Sequence, residues 1–215
     1  PNIGIITNIA EAHIENFKNL REIAKTKGEI INNILNSGTL IIDRDNKFYN
    51  YFKSKANKKK LNLISVGYNK RSDIKITKVE KFLNYKLVTI KTSKDIYKFK
   101  VKDQIVKNIA FAIATLEILK LNIHKIVSKF KEIKVLEGRG KIYKVKYRNI
   151  NFNLIDESYN ANPLSMKQSI MNLSNLNSSN KKYILLGDML ELGEKSQTLH
   201  KGLSPVINNS SINKI

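Results

Sequence analysis

Ile150, Phe152 and Leu154 alternate with polar residues and run into Asp156-Glu157-Ser158-Tyr159-Asn160-Ala161-Asn162-Pro163. Such alternation marks a β-strand. Asn162 followed by Pro163 reads as a helix N-cap and first helical position, because proline lacks only an N–H that would go unpaired there. The junction predicts strand, polar loop, helix, and commits this part of the chain to an α/β fold. It sets two carboxylates, a serine, a tyrosine and two amides between a strand's C-terminal end and a helix start. Ligands of open α/β sheets bind in that place, although an ordinary polar strand–helix turn has the same pattern.

The other elements follow from the same rules. Ile3 to Thr7 reads as a short buried strand ending at Asn8, and the loop Ile9 to Glu15 carries His13. A helix is predicted next, with Asn19 and Glu22 at capping-box spacing and Gly38 as its stop. Strands are predicted at Thr39 to Ile42 and Leu63 to Val66, with a helix over Asn46 to Lys58 between them. Ile74 to Val79, Tyr85 to Thr92 and Ile96 to Val101 form an antiparallel set with a turn at Ser93-Lys94-Asp95. Asn108 to Leu121 is almost wholly apolar and predicts a buried helix, followed by another over Ile123 to Ile133. Asn108 either caps its helix or offers an amide to a flat heterocycle. Gly138-Arg139-Gly140 marks a domain junction. Beyond it, Lys141 to Lys146 and Ile150 to Ile155 pair across Arg148-Asn149, and Pro163 to Leu176 is helical. Tyr183 to Leu186 reads as a buried strand, and Ser196 opens a last helix through Leu203 before a polar tail.

Lys27 falls within the apolar stripe of its helix (Leu20, Ile23, Ala24, Ile30, Ile31, Ile34), on the face predicted to be buried. One account is a buried stem with its ammonium in water. The other is an amine kept neutral by burial. A neutral amine can take up carbon dioxide and become a carbamate, an oxygen donor suited to Mg²⁺, and His13 is close enough in sequence to share the ion. Taken alone, His13 is an ordinary hydrogen-bonded loop residue.

Composition narrows the classes. Of the 215 residues, 41% are apolar, enough for a core, and no apolar run approaches the ~18 residues of a membrane span. Cysteine is absent, which excludes disulfide and thiolate chemistry. The net charge of +21 is spread along the chain, with a short block at Lys58-Lys59-Lys60 and no aromatic residues interleaved for base stacking. A basic nucleic-acid module is therefore a weak reading. No G-x-x-x-x-G-K-[ST] loop occurs, so a nucleotide's main phosphate cradle is expected outside this chain. The chain opens at Pro1 inside a strand-like run and reads as a piece of a longer protein, whose targeting segment is unreadable.

Three stretches together carry a family resemblance. Thr7-Asn8-Ile9-Ala10-Glu11-Ala12-His13, with Lys27-Gly28-Glu29-Ile30, resembles the central domain of the Mur ligases. Asp156 to Met166 resembles the loop opening their C-terminal domain, and Gly187-Asp188-Met189-Leu190-Glu191-Leu192-Gly193-Glu194 with Leu199-His200 resembles the segment after it. The resemblance implies an α/β chain in two parts: residues 1–136 as an incomplete central ATP-binding domain, a mixed sheet flanked by helices, and residues 137–215 as a truncated Rossmann-like domain. It implies a cytoplasmic, monomeric, ATP-dependent amide ligase of peptidoglycan precursor synthesis. Its partners would be UDP-N-acetylmuramoyl-tripeptide and D-alanyl-D-alanine, joined through an acyl phosphate.

Metal ions fit that chemistry, because a carboxylate must approach an anionic phosphate. The resemblance implies two Mg²⁺ ions, held in part by His13 and by Lys27 as a carbamate. It assigns ATP contacts to Asn108, Arg139, Asp156, Glu157 and Tyr159, and substrate contacts to Asn8, Asn160 and Asn162. Ala10, Asp43, Glu157 and Lys102-Asp103-Gln104 depart from the family pattern, the last directly ahead of the adenine asparagine. Another ligase of the superfamily, one adding diaminopimelate or lysine or polyglutamylating folate, is the alternative, and Ser158 to Pro163 argues against it. The 215-residue chain alone is expected to be inactive.

Overall fold

The computed structural model describes residues 1–10, 17, 19–82, 85–101, 106–133, 136–176 and 178–215. Two compact units divide the chain, one of residues 1–9 and 21–134, the other of 10–20 and 135–215.

The first unit is built on a six-stranded sheet in sequential order: β1 (Ile3–Ile6), β2 (Thr39–Asp43), β3 (Asn62–Gly67), β4 (Ile74–Lys81), β5 (Lys86–Lys91) and β6 (Ile96–Val101). β1 to β4 pair in parallel and β4 to β6 antiparallel. Every residue of β2 is buried, as in a parallel strand covered on both faces. β6 instead alternates, burying Tyr97, Phe99 and Val101 and exposing Ile96, Lys98 and Lys100, so only one face of the antiparallel part is covered. Only Val66 and Gly67 of β3 reach β4, so β4 runs on past the end of β3.

Helix α4 (Val106–Ile118) packs on β3 and β4. It buries Ile109, Ala110, Phe111, Ile113 and Ala114, each large apolar side chain contributing ~1.5–3 kcal/mol. α5 (Ile123–Val127) and a 3-10 turn, Ser128–Glu132, close the same core with Phe130 against Phe99. Here the structure shortens an expectation, since the second apolar helix ends at Val127.

The helix expected up to Gly38 is two pieces, α1 (Leu20–Lys27) and α2 (Ile30–Asn33). The break falls at Gly28 and Glu29, directly after Lys27, which is exposed. Gly28 itself is buried beside Phe52 of α3 (Tyr49–Lys58).

The second unit holds β7 (Lys141–Tyr147) and β8 (Ile150–Asp156), paired antiparallel, then α6 (Pro163–Ser174), a 3-10 turn at Gly193–Lys195, α7 (Ser196–Lys201) and α8 (Ser204–Asn208). Its core is small: Ile170, Met189, Leu192 and Leu203. The strand expected at Tyr183 to Leu186 makes, among the described residues, a single parallel bridge, Tyr183 to Lys214, and Leu185 is 99% exposed. A strand's apolar side chains are buried by a ladder with layers packed on it, and among the described residues this segment has no such ladder. α8, within the tail read as polar, was missed because its five residues carry too short a pattern for a helical period.

Candidate functional site

Parallel strands deliver their C-terminal ends to one edge of the first unit, and the loops after β1, β2 and β3 meet there. Asn8 follows β1. Its side-chain carbonyl accepts from the Asn46 amide at 3.3 Å, and the same amide donates to the Ile9 carbonyl. A shallow hollow is lined by Ile6, Asn8, Ile9, Ile42, Asp43, Asn46 and Phe52. Lys27, the last residue of α1, points its amine at this edge and donates to the Asn8 carbonyl oxygen at 3.3 Å.

Lys27 is exposed, and this corrects the expectation that its helical face would bury it. Ile23 and Ala24, one turn earlier on the same face, are buried, whereas Lys27 at the C-terminal end of α1 is exposed. The argument that burial neutralises the amine falls with it. His13, its expected companion, lies outside the described residues, as does Lys102-Asp103-Gln104.

A salt-bridged triad stands beside this hollow. The Lys107 amine donates to both oxygens of Asp43, at 3.1 and 3.0 Å, and lies 3.0 Å from an oxygen of Asp45. Burial pushes the Asp45 carboxyl up, but N–H donors at Tyr68 and Asn69, together with Lys107, outweigh it and hold Asp45 below the usual carboxylate value. Burial likewise pushes the Lys107 amine down, and the two aspartates overcome it and leave it raised. A Cβ added at Gly67 would lie 2.7 Å from the Asp45 oxygens, so any larger residue there must displace the Asp45 carboxylate. Sequence reasoning marked Asp43 as a departure but missed Lys107. The signal was present: Lys107 is the lone charge in the apolar run from Val106 to Leu116.

Asn108, the next residue, is the third of α4 and is not its cap. It is exposed, and its amide has no hydrogen-bond partner among the described residues. Of its two readings, capping is excluded by position.

The second unit carries its own cluster. β8 ends at Asp156, whose carboxylate accepts from the Gly138 N–H at 3.1 Å, the Ser158 N–H at 3.1 Å and the Ser158 hydroxyl at 2.6 Å. The Ser158 donors, first its hydroxyl, hold Asp156 below the ordinary carboxylate range. Asp156 thus organises the loop. Glu157 behaves in the opposite way: burial, then the neighbouring Asp156, raises its carboxyl, and Arg139 only partly opposes them.

Gly138 and Gly140 have φ of 69° and 90°, a region open to glycine, and a Cβ on Gly138 would sit 2.8 Å from the Tyr159 backbone. This close turn lays the Arg139 guanidinium over the Tyr159 ring, 4.1 Å from its centre. Tyr159 and Asn160 are exposed. Asn162 caps α6: its side-chain oxygen accepts from the Leu164 and Ser165 N–H groups, and the Ser165 hydroxyl accepts from the Asn162 N–H. The cap expected from sequence is therefore present, with Ser165 completing the box. Among the described residues no group of three His, Asp or Glu side chains is arranged to hold a metal.

Residues 1–116 match the family model described as the Mur ligase middle domain. Over its whole length the chain is 32% identical to the UDP-N-acetylmuramoyl-tripeptide–D-alanyl-D-alanine ligase of Rickettsia prowazekii, covering 48% of that protein. Its fold resembles that of MurF from Acinetobacter baumannii, with a TM-score of 0.86 and 23% identity over 99% of this chain and 46% of that one. It also resembles MurF ligase from Thermotoga maritima, solved in complex with ADP, with a TM-score of 0.78 and 22% identity over 98% and 47%. The chain spans about half the length of the curated relatives it matches.

Proposed function

The chain belongs to the Mur ligase family through its middle domain at residues 1–116, and from that premise we propose that it is part of a cytoplasmic ATP-dependent amide ligase, MurF. The enzyme joins D-alanyl-D-alanine to UDP-N-acetylmuramoyl-tripeptide. Whole-length similarity to a ligase of that name supports the choice within the family. The observation that carries the site is the Lys27 amine, exposed and 3.3 Å from the Asn8 carbonyl at the C-terminal end of β1.

In this reading residues 1–136 form the central ATP-binding domain and residues 137–215 the C-terminal Rossmann-like domain. Lys27, as a carbamate, and His13 hold Mg²⁺, two ions in all. Exposure leaves the Lys27 amine open to CO₂, and the carbamate assignment rests on the family resemblance. Ions held there would supply charge neutralisation between the tripeptide carboxylate and the ATP phosphate. Asn108 offers its amide to the adenine. Asp156 organises the Gly138 turn, from which Arg139 reaches the phosphates, while Glu157 and Tyr159 line the nucleotide. An exposed cation–π contact contributes only ~0.5–1 kcal/mol, so Arg139 leaves Tyr159 easily for a phosphate. Asn8 and Asn160 contact substrate. Asn162 keeps its side-chain nitrogen for the same task while its oxygen caps α6.

The test is the complete gene product with ATP, Mg²⁺, the UDP-linked tripeptide and D-alanyl-D-alanine, followed by phosphate release and product mass. Formation of the pentapeptide product, lost in Lys27→Ala with an unchanged circular dichroism spectrum, is expected. A carbamate signal from ¹³CO₂ at Lys27 is expected in the parent and absent from the variant. Ligation of another amine in place of the dipeptide would refute the assignment.

A further inference from the structure

The antiparallel half of the sheet has an outward face that the proposed chemistry does not use. Helical cover from α4, α5 and the 3-10 turn lies on the other face, where Ile76, Val88, Ile90, Tyr97 and Phe99 are buried. Outward, Lys75 stands directly opposite Lys91, Thr89 lies between Lys78 and Lys98, and Leu87 faces Lys100. Among the described residues, five lysines share this surface with one carboxylate, Glu80, and Lys78 holds that at 2.9 Å. Asp95, in the turn at its margin, is engaged with His124. Like charges placed directly opposite across a ladder are destabilising, so Lys75 and Lys91 gain nothing from each other. An anionic partner would relieve them.

The β4–β5 connection adds a second feature. Phe82 and Tyr85 stack with ring centres 4.7 Å apart, and Phe82 is 49% exposed. The Lys100 amine also lies over the Tyr85 ring, 4.6 Å from its centre. Among the described residues of this face, no aromatic pair is left open for an intercalating base. An exposed phenyl beside a lysine face instead suits a bilayer interface, where an aromatic ring sits at headgroup level and basic side chains meet anionic lipid. We propose that the outer face of β4–β6, with Phe82 at its tip, docks the protein peripherally on an anionic phospholipid surface.

Vesicle co-sedimentation at ~150 mM salt tests this, with phosphatidylcholine alone and with about one third phosphatidylglycerol. Because the whole chain carries +21, position must be separated from total charge. One variant combines Lys75→Gln, Lys91→Gln, Lys98→Gln and Lys100→Gln, and a matched control combines Lys53→Gln, Lys58→Gln, Lys70→Gln and Lys181→Gln. The face variant should lose about tenfold or more of its affinity for the anionic vesicles while the control stays near the parent. Equal losses in the two variants, or none in the face variant, would overturn the proposal. So would a face variant that binds vesicles like the parent but loses affinity for duplex DNA. The chain has no tryptophan, so Phe82→Trp supplies a single reporter. Its emission should move to the blue on the anionic vesicles, and an unmoved emission also overturns the proposal.

Discussion

Replacing Lys107 by methionine isolates the electrostatics of the triad, because methionine keeps most of the aliphatic stem. In the parent one ammonium lies 3.0 Å from each of two carboxylates, with Asp43 only 8% exposed and Lys107 and Asp45 about a quarter exposed. Fully exposed pairs contribute ~0–1 kcal/mol, and breaking a fully buried pair costs ~3–5 kcal/mol. The triad lies between these limits, so Lys107→Met should cost the first unit ~2–3 kcal/mol at neutral pH, lowering its thermal midpoint by ~5–10 °C. The pH dependence separates charge from packing. Asp45 is lowered from its ordinary 3.8, so its contribution is present above that value and is lost as pH falls through the folded-state value. Lys107 is raised from 10.5, so its contribution is present below that value and is lost as pH rises through the folded-state value. Parent and variant should therefore differ most between those limits and converge in acid. Adding Asp43→Asn should recover part of the loss, since it removes one of two facing carboxylates. Thermal melts followed by circular dichroism at pH 7 and near pH 3 measure all three proteins. An equal loss at both pH values, or a further loss on adding Asp43→Asn, would show that Lys107 acts through packing and refute the reasoning.

Other outcomes follow from single contacts. Asn162→Ala removes the α6 cap and should destabilise the second unit by ~1 kcal/mol, read as faster amide exchange in the first turn of α6. Gly138→Ala forces a Cβ into the Tyr159 backbone at φ 69° and should cost ~1–3 kcal/mol, with Arg139 displaced from the Tyr159 ring in a ring-current shift. In a carbon-detected titration, Asp156 should titrate below an ordinary aspartate and Glu157 above an ordinary glutamate, and the Ser158→Ala variant should return Asp156 toward its usual range.

Local pattern was enough for what neighbours in sequence decide. The β6 alternation, the largely apolar α4, the Arg148-Asn149 turn and the Asn162-Pro163 helix start were all legible, because periodicity, φ restriction and capping act within a few residues. The resemblance carried by separated motifs pointed to the family, since chemistry at a strand end needs fixed residue types in a fixed order. Tertiary structure alone decided the rest. Lys27 shares a helical face with the buried Ile23 and Ala24 and is nonetheless exposed, because burial depends on what packs over the last turn of α1 and not on the helical period alone. Lys107 joins Asp43, 64 residues distant, because α4 packs where β2 and β3 end. Tyr183 to Leu186 has a strand's composition without a strand's ladder, because pairing depends on what lies alongside and not on the segment itself.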